Sequence, residues 1–160
     1  MNQSNNLNIK GNIRKFGDNI DTDVIIATQY LVDDISEMKM HTFESIDPDF
    51  AKTIKPCDII LAGKNFGCGS SRQQAVDVLK ELGIAAVIAK SFARIFFRNS
   101  INLGLPVIEI ENIDTFDTKQ GVDIQINEND IRIINGGNEF QAPPFPEFIL
   151  NILLNNRKVN

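Results

Sequence analysis

What the chain lacks narrows its chemistry first. Its 160 residues include no tryptophan, one tyrosine, one histidine (His41) and two cysteines (Cys57 and Cys68). A structural zinc site takes four Cys or His ligands, so three such residues cannot build one. Two cysteines are also too few for a disulfide scaffold, and their scarcity fits a reducing compartment, the cytoplasm. A catalytic triad has to use His41 or do without histidine. Lysine and arginine number 16 against 21 aspartates and glutamates, a formal charge of −5. Nucleic-acid binders and proteins that dock on anionic lipid present basic faces, so neither partner is expected. No apolar run reaches the roughly 18 residues of a membrane span. Met1 to Asn6 lacks the apolar core of an export signal, and residues 1–7 read as a polar, disordered tail.

What is present supports a single folded domain. The length matches one domain of roughly 100–150 residues plus tails, and 42% of the residues are hydrophobic. Asn8 to Phe16 reads as a strand closed by Gly17-Asp18-Asn19. Asp21-Thr22-Asp23 reads as a turn or cap before the apolar run Val24-Ile25-Ile26. Tyr30 to Thr42 is mixed and loop-like, with His41 expected at the surface. Thr42 to Ile54 holds short helical pieces broken by Pro48, and Asp58 to Ala62 is a short buried strand.

The strongest local signal follows. Gly63-Lys64-Asn65-Phe66-Gly67-Cys68-Gly69-Ser70-Ser71 is a glycine-rich loop. Behind it Ala75, Val78, Leu79 and Leu82 repeat at i, i+3, i+4 and i+7, one face of a helix. Ser70 or Ser71 suits its N-cap, and Gly83 falls where a helix-ending glycine belongs. The apolar run Ile84 to Ala89 reads as a strand covered on both faces, so Asp58 to Ala89 forms a βαβ unit. Phe92 to Leu103 is a second helix stopped by Gly104, and Leu105 to Ile110 another strand. Val122 to Asn127 and Ile131 to Ile134 form an antiparallel hairpin. Pro146 opens a last helix, Glu147 to Leu154. The fold class is α/β with antiparallel additions.

A glycine-rich turn into a helix offers backbone N–H groups to an anion. Three familiar versions do not fit. A P-loop needs Lys after its second glycine, the dinucleotide fingerprint needs glycine where Arg72 stands, and the hydrolase elbow needs Gly-x-Ser-x-Gly. Two serines and an arginine at a helix start remain, and Arg72 can grip a carboxylate with two parallel hydrogen bonds. From spacing alone the loop is either a tight turn with an ordinary serine cap or an anion site. Cys68 and Cys57 read as small packed residues rather than nucleophiles. Lys90, Arg94 and Arg98, at i, i+4 and i+8, read as one solvated helix face.

Three strings carry a further signal. They are Asp18 to Ile26 with Tyr30-Leu31 behind it, Gly63 to Arg72, and Lys90 to Asn99 followed by Asn102-x-Gly104-Leu105-Pro106. In sequence and order they resemble the small subunits of 3-isopropylmalate dehydratase, within the aconitase superfamily. The resemblance covers roughly Gly11 to Leu154. It implies the swivelling β/β/α domain of the aconitase C-terminal type, a mixed sheet with a βαβ unit and antiparallel additions. It implies a hydro-lyase subunit that isomerises 2-isopropylmalate and 3-isopropylmalate by dehydration and rehydration, in leucine biosynthesis. The implied partner is a large subunit carrying a [4Fe-4S] cluster, in a heterodimer or heterotetramer; this chain binds no metal, and the substrate is a small dicarboxylate.

The same resemblance assigns residues. Ser70 falls on the catalytic base, acting as an alkoxide. If its hydroxyl starts near water at ~15.7, reaching ~7 takes about 12 kcal/mol at 1.36 per unit, so several donors have to share the task. Ser71 and Arg72 fall on substrate-carboxylate binding, and Gly67, Cys68 and Gly69 on the supporting loop. Val32 stands where relatives that act on tricarboxylates tend to carry Arg, so its apolar branch suits isopropylmalate. Homoaconitate and methyl-substituted malates are the runner-up substrates, and a non-catalytic carboxylate-binding module is the reading of another class. Two stretches depart from the family pattern: Gln73-Gln74-Ala75 replaces Glu-His-Ala, and Ala27-Thr28-Gln29 replaces Pro-Ala-Arg.

Overall fold

A computed structural model describes residues 6–158 of the chain. The stretch expected as one strand over Asn8–Phe16 is divided. Leu7–Gly11 (β1) and Ile13–Lys15 (β2) belong to different sheets. The chain changes sheets where Gly11 passes the loop just before Ile59; a Cβ there would stand 1.8 Å from the Cys57 carbonyl oxygen. Leu7, expected in the tail, opens β1 with its side chain buried. Most of the remaining tail lies outside the described residues.

The strands form two four-stranded sheets. The parallel one runs β2, β3 (Ile59–Ala62), β4 (Ala86–Ala89), β5 (Val107–Glu109). Every residue of β3 and β4 is buried, so both faces of that sheet are covered. The antiparallel one runs β1, β6 (Val122–Ile126), β7 (Ile131–Asn135), β8 (Asn138–Ala142). Strands β6 and β7 alternate buried and half-buried residues. Parallel and antiparallel pairings thus sit in separate sheets that share one apolar core. Strand β8 has no sequence signature of its own: Asn138-Glu139-Phe140-Gln141-Ala142 is a largely exposed edge. Its one cue is the two-residue Gly136-Gly137 turn from β7.

Three short helices, α1 (Thr22–Ile25), α2 (Ile35–Met38) and α3 (Phe50–Thr53), lie between β2 and β3. Helix α4 (Gln73–Glu81) completes the expected βαβ unit, with Ala75, Val76, Val78 and Leu79 buried and Gly83 following at φ +88°. Its N-cap is Arg72, without a side-chain cap bond, rather than Ser70 or Ser71. Both serines stand earlier, in a loop engaged with another segment. Helix α5 (Arg94–Asn102) starts after Lys90, so Lys90 does not share a helix face with Arg94 and Arg98; it pairs with Asp114 at 3.1 Å. Helix α6 (Glu147–Lys158) runs a turn beyond its expected end at Leu154. Lys80 of α4 donates to the Leu103 carbonyl at the end of α5, a cation at a helix C-terminus.

Among the described residues no helix is long and apolar enough to cross a membrane. The side chain of Asn135, fully buried, accepts from the Asp117 amide at 2.6 Å and donates to the Asp117 and Gly121 carbonyls at 3.0 and 3.1 Å. It fastens the 117–121 loop to β7. Leu79, fully buried on α4, holds that helix to the sheet. Leu79→Ala is expected to cost about 2–5 kcal/mol of stability, read as a lower urea midpoint with an unchanged slope.

Candidate active site

The three strings of the sequence meet at the carboxyl ends of three adjacent parallel strands. Strands β2, β3 and β4 run out into the loops that hold Asp18 to Ile26, Gly63 to Arg72, and Lys90 to Ala93. Backbone pairing does not stop where the strands do. The Phe16 amide donates to the Leu61 carbonyl at 2.8 Å, Gly63 to Gly17 at 3.0 Å, Asn19 to Lys64 at 2.7 Å, Gly67 to Ile20 at 2.7 Å, and Thr22 to Cys68 at 2.8 Å. On the other side the Lys90 amide donates to Gly63 at 3.1 Å, Phe66 to Ser91 at 3.0 Å and Ala93 to Phe66 at 2.9 Å. The glycine loop is the middle strip, sewn on both edges. In open parallel sheets, ligands bind in the crevice outside these strand ends.

Gly67 makes the strip possible. It sits at φ +82°, and a Cβ on it would lie 2.2 Å from Cγ of Phe96. The ring of α5 therefore rests on the loop backbone, and Phe66, Phe92 and Phe96 pack together around it with ring centroids 5.3–6.3 Å apart. Gly69 follows at φ +94°, beside Asp21 and Thr22. Cys68 is half-buried; burial pushes its thiol up, and the nearby Asp21 carboxylate adds to the shift. It stays protonated, so its role is the carbonyl that receives the Thr22 amide.

The carbonyl of Ser70 accepts from the hydroxyl of buried Thr22 at 2.9 Å and from the Arg72 amide at 2.9 Å. These bonds fix the Ser70 backbone and leave its side chain facing outward. Ser70 and Ser71 are both exposed, and among the described residues nothing bonds either hydroxyl. Arg72 is held more firmly. One terminal nitrogen donates to Asp23 Oδ1 at 2.7 Å and to the Ile26 carbonyl at 3.1 Å, and the other to the Thr28 hydroxyl at 2.8 Å. Thr28 in turn donates to Asp23 at 3.1 Å. The side chain of Arg72 is 16% exposed and that of Asp23 62%. The Arg72 hydrogen bond, then that of Thr28, holds the Asp23 carboxyl below the usual carboxylate range. None of these bonds uses Nε of Arg72.

Thr28 opens a 3-10 turn, Thr28–Tyr30, and Val32 stands just beyond it, 90% exposed. The Asp33 amide donates to the Tyr30 carbonyl at 3.1 Å and closes the turn that carries Val32. His41, expected as a surface residue, is half-buried: its ring stacks on Tyr30 with centroids 3.7 Å apart and planes 3° from parallel. Glu44 holds both, accepting from the Tyr30 hydroxyl at 2.6 Å and bonding Nδ1 of His41 at 2.8 Å. Phe43, just before it, lies at φ +57°. That conformation costs a bulky residue about 1–3 kcal/mol. The fully buried Phe43 ring, 4.3 Å from Phe16 and 4.8 Å from Phe50, offsets it.

The structure therefore brings Gly67 to Arg72 together in one loop and ties that loop to Val32 through Thr28. It adds Asp23, Thr28, Tyr30 and Glu44, which sequence reasoning did not assign. Asp23 and Tyr30 lie inside recognised strings without an evident role, and Thr28 at a departure from the family pattern. Glu44 lies in a stretch with no signal. Among the described residues no three His, Cys, Asp or Glu side chains converge to hold a metal ion.

The family model of the aconitase C-terminal domain matches residues 1–113. The 3-isopropylmalate dehydratase small subunit of Clostridioides difficile is 50% identical over 152 residues, covering 94% of this chain and 93% of that protein. The chain belongs to this family. Small subunit 1 of the 3-isopropylmalate dehydratase of Methanopyrus kandleri is 46% identical, over 91% of this chain and 86% of its own length. The crystal structure of the 3-isopropylmalate dehydratase (leuD) of Methanocaldococcus jannaschii superposes with a TM-score of 0.77, at 43% identity and 96% coverage of both chains. The fold thus has a counterpart of known structure.

Gly67→Ala is expected to cost about 1–3 kcal/mol through its left-handed backbone and about 1–3 kcal/mol more through contact with Phe96. Urea unfolding measures the sum, and Phe96→Leu on the same background should return only the packing part.

Proposed function

We propose that this chain is the small subunit of a hydro-lyase that interconverts 2-isopropylmalate and 3-isopropylmalate, with Ser70 as its base. The observation that carries this reading is the convergence of all three strings at the strand ends, where Ser70 is fixed by its carbonyl and open at its hydroxyl. In the reading, Ser70 Oγ takes the proton beside a carboxylate, the C–H pair becomes the alkene bond, and hydroxide leaves. Rehydration delivers the proton to the carbon that lost hydroxide and places hydroxide on the carbon that lost the proton, so the hydroxyl changes carbon. Ser71 and Arg72 receive the substrate carboxylates. Arg72 meets them with its plane already set by Asp23, Ile26 and Thr28, so little side-chain freedom is lost on binding.

The leaving oxygen needs a Lewis acid. A [4Fe-4S] cluster on the large subunit supplies it in this reading. A cytoplasmic setting belongs to the same reading. Val32 presents an isolated apolar branch to the isopropyl group, and its neighbours Asp33 and Asp34 discourage a third carboxylate.

Ser70→Ala, assembled with a cluster-loaded large subunit, is expected to lose turnover by at least a factor of about 10³ while the complex still forms. Alkene absorbance from 3-isopropylmalate and gel filtration read the two outcomes; a near-normal rate would remove Ser70 from the base role. Val32→Arg should lower kcat/KM for isopropylmalate by about 10–200-fold, the range for losing a good apolar fit, and gain on a tricarboxylate. Equal rates on both substrates with Val32 in place would show that another residue selects.

A further inference from the structure

The selectivity assigned to Val32 raises the question of what holds Val32 in place. Its side chain is 90% exposed, so packing of the branch itself does not. The turn that carries it hangs between Thr28, held by Arg72, and the Tyr30 carbonyl, which receives the Asp33 amide. Tyr30 is thus the inner post of the turn, and the bonds of its ring and hydroxyl are what keep that post upright.

We propose that Glu44, acting through Tyr30 and His41, is a positioning residue that sets the Val32 turn and thereby the substrate preference of the site. The proposal rests on the hydro-lyase reading above and names a determinant of its specificity. One carboxylate holds two rings: Oε1 takes the Tyr30 hydroxyl at 2.6 Å and Oε2 engages His41 at 2.8 Å, while the rings stack on each other. Tyr30 and His41 lie at opposite ends of the segment from Tyr30 to His41, so the stack closes that segment into a loop. Glu44 is itself anchored. The Phe43 amide donates to the Ile25 carbonyl at 2.9 Å, and the left-handed backbone of Phe43 turns the chain so that Glu44 follows. A small pocket between the clamp and Asp23, lined also by Val24, Ala27, Gln29 and Ser45, links it to the Arg72 latch.

The chain offers its own probe, because Tyr30 is the sole tyrosine and there is no tryptophan. Absorbance titration of the full-length chain therefore reads Tyr30 alone. The hydroxyl bond to Glu44 raises the Tyr30 pKa above its usual range, with Asp33 adding charge and Gln29 opposing. The bond from Tyr30, then that of His41, lowers Glu44. The raised tyrosine contributes stability below its unfolded pKa of about 10, and this is lost as pH rises through the folded value. The depressed carboxyl contributes above about 4.3, and this is lost as pH falls through the folded value.

Glu44→Gln is expected to bring the tyrosine titration back toward its usual range. Glu44→Ala is expected to speed amide exchange over residues 28–41 by about tenfold. In the assembled enzyme, Tyr30→Phe and Glu44→Ala are expected to raise KM for 3-isopropylmalate about tenfold with kcat within threefold, and to narrow the preference over a malate with a smaller branch. Glu44→Gln, which keeps an acceptor for Tyr30, should lie between these variants and the unaltered chain. Unchanged exchange, or unchanged KM and preference in Glu44→Ala, overturns the proposal. An unaltered complex that leaves isopropylmalate untouched defeats the hydro-lyase reading instead, and with it the specificity role, while the exchange measurement still decides whether the clamp exists.

Discussion

The continuation of backbone pairing past the ends of the parallel strands is the constraint on which the rest depends. Strands usually yield to irregular loops at their carboxyl ends, and such loops are free to move. Here the ladder between β2 and β3 persists as bonds from Phe16 through Thr22, and that between β3 and β4 persists through Ala93. The loop that carries Ser70 thereby inherits the rigidity of a sheet without its flatness. Gly67 permits the departure from strand geometry, and Phe96 stops it from going further.

Charge is arranged on the same scaffold. Asp23 and Thr28 hold the Arg72 guanidinium in one place, the order that the carboxylate-binding role proposed for it requires before a ligand arrives. The arrangement leaves Ser70 without an activating neighbour among the described residues. If Ser70 is the base, as proposed, the roughly 12 kcal/mol needed to make an alkoxide falls largely to groups outside this chain. A scarcity of histidine and cysteine fits the proposed half-site, in which the residues here shape and hold and a second chain completes the chemistry.

Much of this was legible in the sequence, for identifiable reasons. The βαβ unit announced itself through the spacing of Ala75, Val78 and Leu79 and through the run to Ala89, because buried parallel strands and one-sided helices have strong patterns. The break at Gly11 did not, because both halves of Asn8–Phe16 have strand character and only tertiary contact divides them. Strand β8 was hidden by its exposure, since an edge strand with one buried residue carries no alternation. At the site, family strings located the serine loop, yet Asp23 and Thr28 emerged only once folding set them against Arg72. Glu44 was invisible because its partners lie 14 and 3 positions away in a stretch without periodicity.

The side chain of Thr22 reaches Ser70 across 48 positions of sequence. Contacts that close so long a stretch carry a large entropic toll, and parallel pairings are slow to form for that reason. The serine loop can take its shape only after β2, β3 and β4 are in register, since each edge of the strip is stitched to a different one of them. Correct presentation of Ser70 is then a late event in folding, and it certifies the sheet beneath it. A partner subunit that recognises this loop would in the same act be selecting chains that have finished folding.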